Sequence, residues 1–282
     1  MVNKLSIKIV ILLFLSIQVI TAQTQNKVAI PHLKKQGVTT QLIVEGKPFL
    51  ILGGELGNST FTTVENMVPV WPKLKAMNLN TILAPVFWEL IEPTEGDFDF
   101  KVLDDLIHET KKNNLKLVLL WFGSWKNSMS SHAPAWIKTN QKKYPRAKSK
   151  ELESQEILTP FSNHNLKADK NAFIALMQHL KEVDGEEHTV IMVQPENEIG
   201  MLPSARDYHP LATKEFKSPV PIELMSYLVK NKKRLVSEFR AIWDKNGNKK
   251  SGSWEEVFGK GDQTDEIFMA WYFAKYANEI TK

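Results

Sequence analysis

Lys116-Leu117-Val118-Leu119-Leu120-Trp121-Phe122 is a nearly unbroken apolar run, preceded by Asn113-Asn114 and closed by Gly123. A strand with one wet face alternates apolar and polar residues. A run apolar throughout is covered on both faces, as strands of a parallel sheet are beneath their helices. The same reading repeats outward in both directions. Upstream, Val102, Leu103, Leu106 and Ile107 carry the i, i+3, i+4 spacing of a helix that stops at Asn113-Asn114. Before it stands a second apolar strand, Thr81-Ile82-Leu83-Ala84, then a helix carrying Val70, Trp71, Leu74 and Met77. A first strand near Phe49-Leu50-Ile51-Leu52 ends in Gly53-Gly54-Glu55. Downstream, a long polar excursion from Gly123 to Lys170 leads into a helix with the stripe Phe173, Ile174, Leu176, Met177, Leu180 and Val183, which Asp169 is expected to cap. A fourth strand, Thr189-Val190-Ile191-Met192-Val193, runs into Gln194-Pro195-Glu196-Asn197-Glu198. Strands alternating with helices predict an α/β fold around a parallel sheet. Beyond Pro219 the pattern predicts helices from about Ile222 to Trp243 and from about Asp265 to Ile280.

The 282 residues are 43% hydrophobic and 24% charged, a globular composition with enough apolar side chain for a sizeable core. The formal net charge is +4, too mild to imply a nucleic-acid partner. Two of those positive charges, Lys4 and Lys8, precede an apolar run from Ile9 to Ile20 and the small residue Ala22. That reads as a secretory signal peptide over residues 1–22, followed by a lead-in over 23–41. The run falls short of the roughly 20 residues a spanning helix needs, so the mature chain is expected to be exported, periplasmic or extracellular, with no membrane span. There is no cysteine, which leaves chemistry to oxygen and nitrogen groups.

In parallel α/β folds the active site forms at the carboxyl ends of the strands. The first strand end presents Glu55 and Asn58, and the second Phe87, Trp88 and Glu89. The third presents Trp121, Trp125, Lys126 and Asn127, and the fourth Glu196, Asn197 and Glu198. Indole rings can pack on the C–H faces of a pyranose, and amides, carboxylates and lysine can satisfy its hydroxyls. Glycosidic cleavage needs two carboxyl groups flanking the bond, one protonated and one ionised. Glu196 and Glu198 share a face if the strand continues that far, so alternation alone does not choose between them.

The run Ile191-Met192-Val193-Gln194-Pro195-Glu196-Asn197-Glu198-Ile199-Gly200 resembles the strand-four motif of glycoside hydrolase family 35 β-galactosidases. Asn80-Thr81 through Val86-Phe87-Trp88-Glu89-Leu90-Ile91-Glu92-Pro93, then Glu95-Gly96-Asp97-Phe98-Asp99-Phe100, is similar to the second βα unit shared by families 35 and 42. Pro134-Ala135-Trp136 also recurs in family 35. The resemblance covers roughly Leu42 to Leu202 and implies a clan A (β/α)8 TIM barrel, of which residues 42–282 hold about the first four βα units. It implies Glu198 as acid/base and Asn197 as the residue that hydrogen-bonds the sugar 2-hydroxyl. Glu55, Trp88, Trp125 and Asn127 are expected to bind substrate from their strand-end positions. Gly53-Gly54-Glu55 replaces the family's Ser-Ile-His-Tyr type segment, and Pro195 and Ile199 replace the commoner Val and Tyr, which points to an outlying bacterial subgroup.

In that clan the nucleophile stands at the end of strand seven, and nothing after Glu198 reads as such a strand end. The chain is therefore expected to be an inactive fragment of an exported, retaining exo-β-galactosidase acting on terminal β-galactosides. An endo-β-mannanase or glucanase of the same clan, and a non-catalytic carbohydrate-binding half-barrel, are the alternatives. No metal or organic cofactor is implied: His108-Glu109 lacks the second histidine of a zinc motif, and Lys249 stands where a calcium loop through Asp244, Asn246 and Asn248 needs glycine.

Overall fold

Four parallel strands carry the architecture of this computed structural model, which describes residues 29–282 except Pro203. The signal peptide expected at residues 1–22 lies outside the described residues. The chain divides into two compact units at Phe49/Leu50. In the first, β1 (His32–Gln36), β2 (Thr39–Val44) and β3 (Lys47–Pro48) form an antiparallel sheet. Gly37 and Gly46 supply the positive φ of its two turns, 59° and 75°. This small sheet has no counterpart in the sequence reading, because every residue of β1 is exposed and so leaves no apolar alternation. The compact unit that holds the parallel strands spans Leu50–Lys282.

In the second unit the chain order is β4 (Gly53–Glu55), α1 (Val64–Met67), α2 (Trp71–Ala76), β5 (Thr81–Phe87), α3 (Trp88–Ile91), α4 (Lys101–Lys112), β6 (Lys116–Phe122) and α5 (Ala135–Lys138). A hairpin of β7 (Arg146–Lys148) and β8 (Ser154–Leu158) precedes α6 (Asn163–Val183) and β9 (Val190–Pro195). Then come α7 (Pro210–Lys217), α8 (Ile222–Asn231), α9 (Ser237–Lys245), α10 (Trp254–Phe258) and α11 (Asp262–Ile280). The long helix expected from Ile222 to Trp243 is thus two helices, parted by extended backbone at Leu235 and Val236.

The sheet runs β4-β5-β6-β9, its strands side by side in chain order, with the β7–β8 hairpin, which comes between β6 and β9 in the chain, set outside it. A doubly wound sheet reverses direction at a switch point; an order that never reverses is that of a (β/α)8 barrel read from its first strand. These four units make up part of such a barrel. The registers pair Thr81 with Lys116 and Phe87 with Phe122, then Leu117 with Val190 and Trp121 with Pro195, with an irregularity after Leu117. Strand β6 matches its expected limits, and every residue from Leu117 to Phe122 is buried.

The first strand is displaced from its expected place. Leu50 and Leu52 are exposed and outside the ladder, because the Asn80 side chain bonds them instead. Its Oδ1 accepts from Leu52 N at 2.9 Å and its Nδ2 donates to Leu50 O at 2.8 Å. The regular ladder starts only at Gly53, opposite Thr81. Asp169 is not the cap of α6 either: Ser162 accepts from Asn165 N there, which leaves Asp169 on the second turn and fully buried.

Candidate active site

The site is built where β6 and β9 end side by side. Strand β9 stops at Pro195, so Glu196 and Glu198 do not continue its alternation. Both take left-handed backbone, with φ of 61° and 47°. Their side chains part completely. Glu196 is 1% exposed, with Oε1 accepting from Ser124 N at 3.1 Å and Oε2 from Trp125 N at 2.8 Å. Burial first, then the neighbouring Asp169, pushes this carboxyl well above the usual carboxylate range. Glu198 has a side chain 60% exposed on the rim, where Lys126 Nζ donates to its Oε2 at 2.9 Å. Only the second of the two is open to a substrate.

Lys126 reaches that position from beneath: its side chain is 9% exposed, and its ammonium also sits 5.1 Å from the centre of the Phe122 ring and bonds Asn127 Oδ1. Asn127 is exposed beside it, at φ 53°. The two chain ends are tied together, since Asn197 N donates to Trp125 O at 3.3 Å and Ser128 N to Glu198 O at 3.0 Å. Asn197 Oδ1 is buried without a partner. Glu55 stands exposed at the end of β4. Sequence reasoning named Lys126 at the third strand end but assigned it no role; its contact with Glu198, 72 residues away, is what the pattern did not hold.

The rim also carries a cluster that the sequence reading missed. His132 Nδ1 lies 2.9 Å from Glu89 Oε1, and its ring packs on Phe87 and Phe122 with centroids 4.9 and 5.4 Å away. Glu89, at the end of β5, holds Lys138 at 3.5 Å as well.

Two expectations are corrected. Trp88 and Trp125 are completely buried and offer no ring face on which a sugar can stack. Trp88 Nε1 donates to Glu92 Oε2 at 2.8 Å and its ring meets Trp136 edge-on, while Trp125 is packed edge-on against Phe273 and Tyr276. Both are core beneath the rim. Two grooves, of about 590 and 350 Å³, are lined mainly by helix residues such as Asn171 and Gln178 or Lys214 and Tyr272, and neither contains Glu198. Among the described residues no cluster of His, Asp and Glu is arranged to hold a metal ion.

A family model for glycoside hydrolase 42, described as beta-galactosidase, matches residues 69–258, which include the ends of β5, β6 and β9. The chain belongs to the beta-galactosidase glycoside hydrolases. It is 29% identical over 176 residues to Beta-galactosidase 14 of Arabidopsis thaliana, an alignment covering 58% of this chain and 18% of the plant protein. Over 96 residues it is 32% identical to a beta-galactosidase of Xanthomonas manihotis, covering 32% of this chain and 15% of that protein. The crystal structure of a beta-galactosidase from the psychrophilic Marinomonas ef1 superposes with a TM-score of 0.49 at 17% identity, over 60% of this chain and 24% of that one. The matched portion is therefore less than a fifth of either curated relative's length. The motifs around Glu198 resemble family 35 and the matching model is that of family 42; the two agree on beta-galactosidase. Of the two carboxylates that follow β9, Glu198 with its lysine partner is the one open to solvent.

Proposed function

We propose that the chain is part of an exported, retaining exo-β-galactosidase in which Glu198 protonates the leaving oxygen of a terminal β-galactoside and then activates water. The observation that carries this reading is the contrast between two neighbours: Glu196 is sealed among backbone amides, while Glu198 projects from the end of β9 into solvent. Asn197, Glu55 and Asn127 would meet the sugar hydroxyls, and Lys126 would hold the Glu198 carboxyl in line. The nucleophile would come from a further strand end, carried by polypeptide beyond these four βα units. Retention by double displacement puts two such carboxyls about 5–5.5 Å apart.

The test is to express the coding region together with its natural downstream sequence and follow hydrolysis of a β-galactoside by proton NMR. First-formed β-galactose, with single galactose units released from oligosaccharide ends, supports the reading. First-formed α-galactose refutes retention, and internal cleavage of mannan or glucan replaces the substrate class.

A further inference from the structure

Beneath the rim lies a group of buried polar side chains that take no part in that reaction. Asp169, on α6, accepts from Trp121 Nε1 at 3.0 Å, Ser124 N at 3.0 Å and the Tyr276 hydroxyl at 3.3 Å. Three donors thus converge on this one carboxyl, filling its acceptor sites. Glu196 Oε1 receives the same Ser124 N–H, so the two carboxyls share one amide hydrogen, and the Glu196 carboxyl is also hydrogen-bonded to that of Asp169. Two carboxyls at hydrogen-bond range do not both ionise in a dry site. A proton on Glu196 Oε1 resolves the crowding: it is donated to Asp169, while Oε2 still accepts from Trp125 N.

We propose that Asp169 and Glu196 are a proton-sharing positioning pair for the acid/base: by gripping the amides of Ser124 and Trp125 they fix the backbone whose next residue, Lys126, clasps Glu198. This rests on the assignment of Glu198 made above. The chain of contacts is continuous, from Asp169 and Glu196 to Ser124 N and Trp125 N, then to Lys126 Nζ and Glu198 Oε2. A return tie runs through Asn197 N to Trp125 O, so the strand end that carries Glu196 also closes on the loop that Glu196 holds. The fit leaves no slack at Gly123, where a Cβ would stand 2.7 Å from Asp169 Oδ1 and 2.8 Å from Glu196 Oε1.

The titratable groups around the pair are Tyr276 from α11, whose phenol burial pushes well up so that it stays a neutral donor, and Glu92 beyond α3, whose carboxyl is raised mainly by its own burial. Lys126 follows on the same loop but is turned toward Glu198. Burial and Asp169 together push the Glu196 carboxyl up, in keeping with the proton residing there.

Glu196→Gln imitates the protonated state: its carbonyl oxygen can take the Trp125 amide hydrogen and its NH2 can donate to Asp169. The experiment measures two things on the full chain. One is the rate at which an amine-specific reagent modifies Lys126, read by mass spectrometry against exposed lysines such as Lys112. The other is urea unfolding from about pH 4.5 to 8. Glu196→Gln is expected to leave Lys126 protected to within about twofold, whereas Glu196→Ala, or Glu196→Asp if the alanine variant does not fold, raises its modification about tenfold without changing Lys112. Glu196 keeps its proton in the folded chain above the pH at which the unfolded chain loses it, so wild type loses stability relative to Glu196→Gln as pH rises. The two unfolding constants should part by up to about tenfold per pH unit until the folded carboxyl itself ionises. An unchanged Lys126 rate in the alanine or aspartate variant overturns the positioning role, and parallel pH curves overturn the shared proton. Neither readout depends on hydrolysis, so the pair can fail while Glu198 remains the acid/base, and the reverse.

Discussion

Gly123→Ala should damage this protein far more than adding one methyl group ordinarily does. The added carbon would fall onto Trp121 Nε1 while standing 2.7 Å from Asp169 Oδ1 and 2.8 Å from Glu196 Oε1, each well inside van der Waals contact. All three neighbours are fully buried, so none can swing into solvent to make room. Overpacking a tight interior costs about 1–3 kcal/mol. Relief by moving the carboxyls would also stretch the bonds to Trp121 Nε1, Ser124 N and Trp125 N, and a buried charged group losing one partner costs about 1–3 kcal/mol more. The expected total is about 2–6 kcal/mol, a melting temperature lowered by roughly 4–24 °C for a chain of this size. Urea unfolding followed by tryptophan fluorescence measures it directly. A loss below about 1 kcal/mol would refute the packing argument and loosen the account of the site with it.

Trp88→Phe should cost about 1–3 kcal/mol by leaving Glu92 Oε2 without its indole donor, and should leave galactoside affinity unchanged because the ring does not reach the rim. Titrating the variant with galactose and unfolding it in urea checks both halves. Lys126→Met should alter stability by less than about 1 kcal/mol, since its partner Glu198 is largely exposed, yet lower galactoside hydrolysis of the protein expressed with its natural downstream sequence by about tenfold or more by freeing that carboxyl. At the start of α10 the Ser253 N–H and Oγ–H hold the Glu256 carboxyl below its ordinary range. That stabilisation is present above the unfolded carboxyl's pKa, about 4.3, and is lost as pH falls through the lower folded value. Ser253→Ala is therefore expected to lower the urea midpoint more at pH 7 than at about pH 2.5.

Strand β6 was legible because both its faces are buried, so its composition alone declares it. The first strand was read too early because Leu50 and Leu52 look like ladder residues, and nothing in the pattern says that an asparagine 28 residues on will occupy their hydrogen bonds. The aromatics at the strand ends misled for a related reason: an indole after a strand can face a sugar or the core, and only packing against residues as distant as Phe273 and Tyr276 decides it for Trp125. Glu196 and Glu198 were equivalent in an alternating strand. Their separation comes from left-handed backbone at both positions, a local departure that the strand period cannot express.

The most direct measurement compares wild type with Glu198→Ala, expressed with the natural downstream sequence, on two galactosides: one with a dinitrophenolate leaving group that needs no proton, and one with a sugar leaving group that does. Acid assistance by Glu198 predicts that hydrolysis of the sugar-linked substrate falls by about 10²–10⁴ while glycosyl transfer from the dinitrophenyl compound is nearly spared. Equal losses on both substrates, or none on either, would contradict Glu198 as the acid/base.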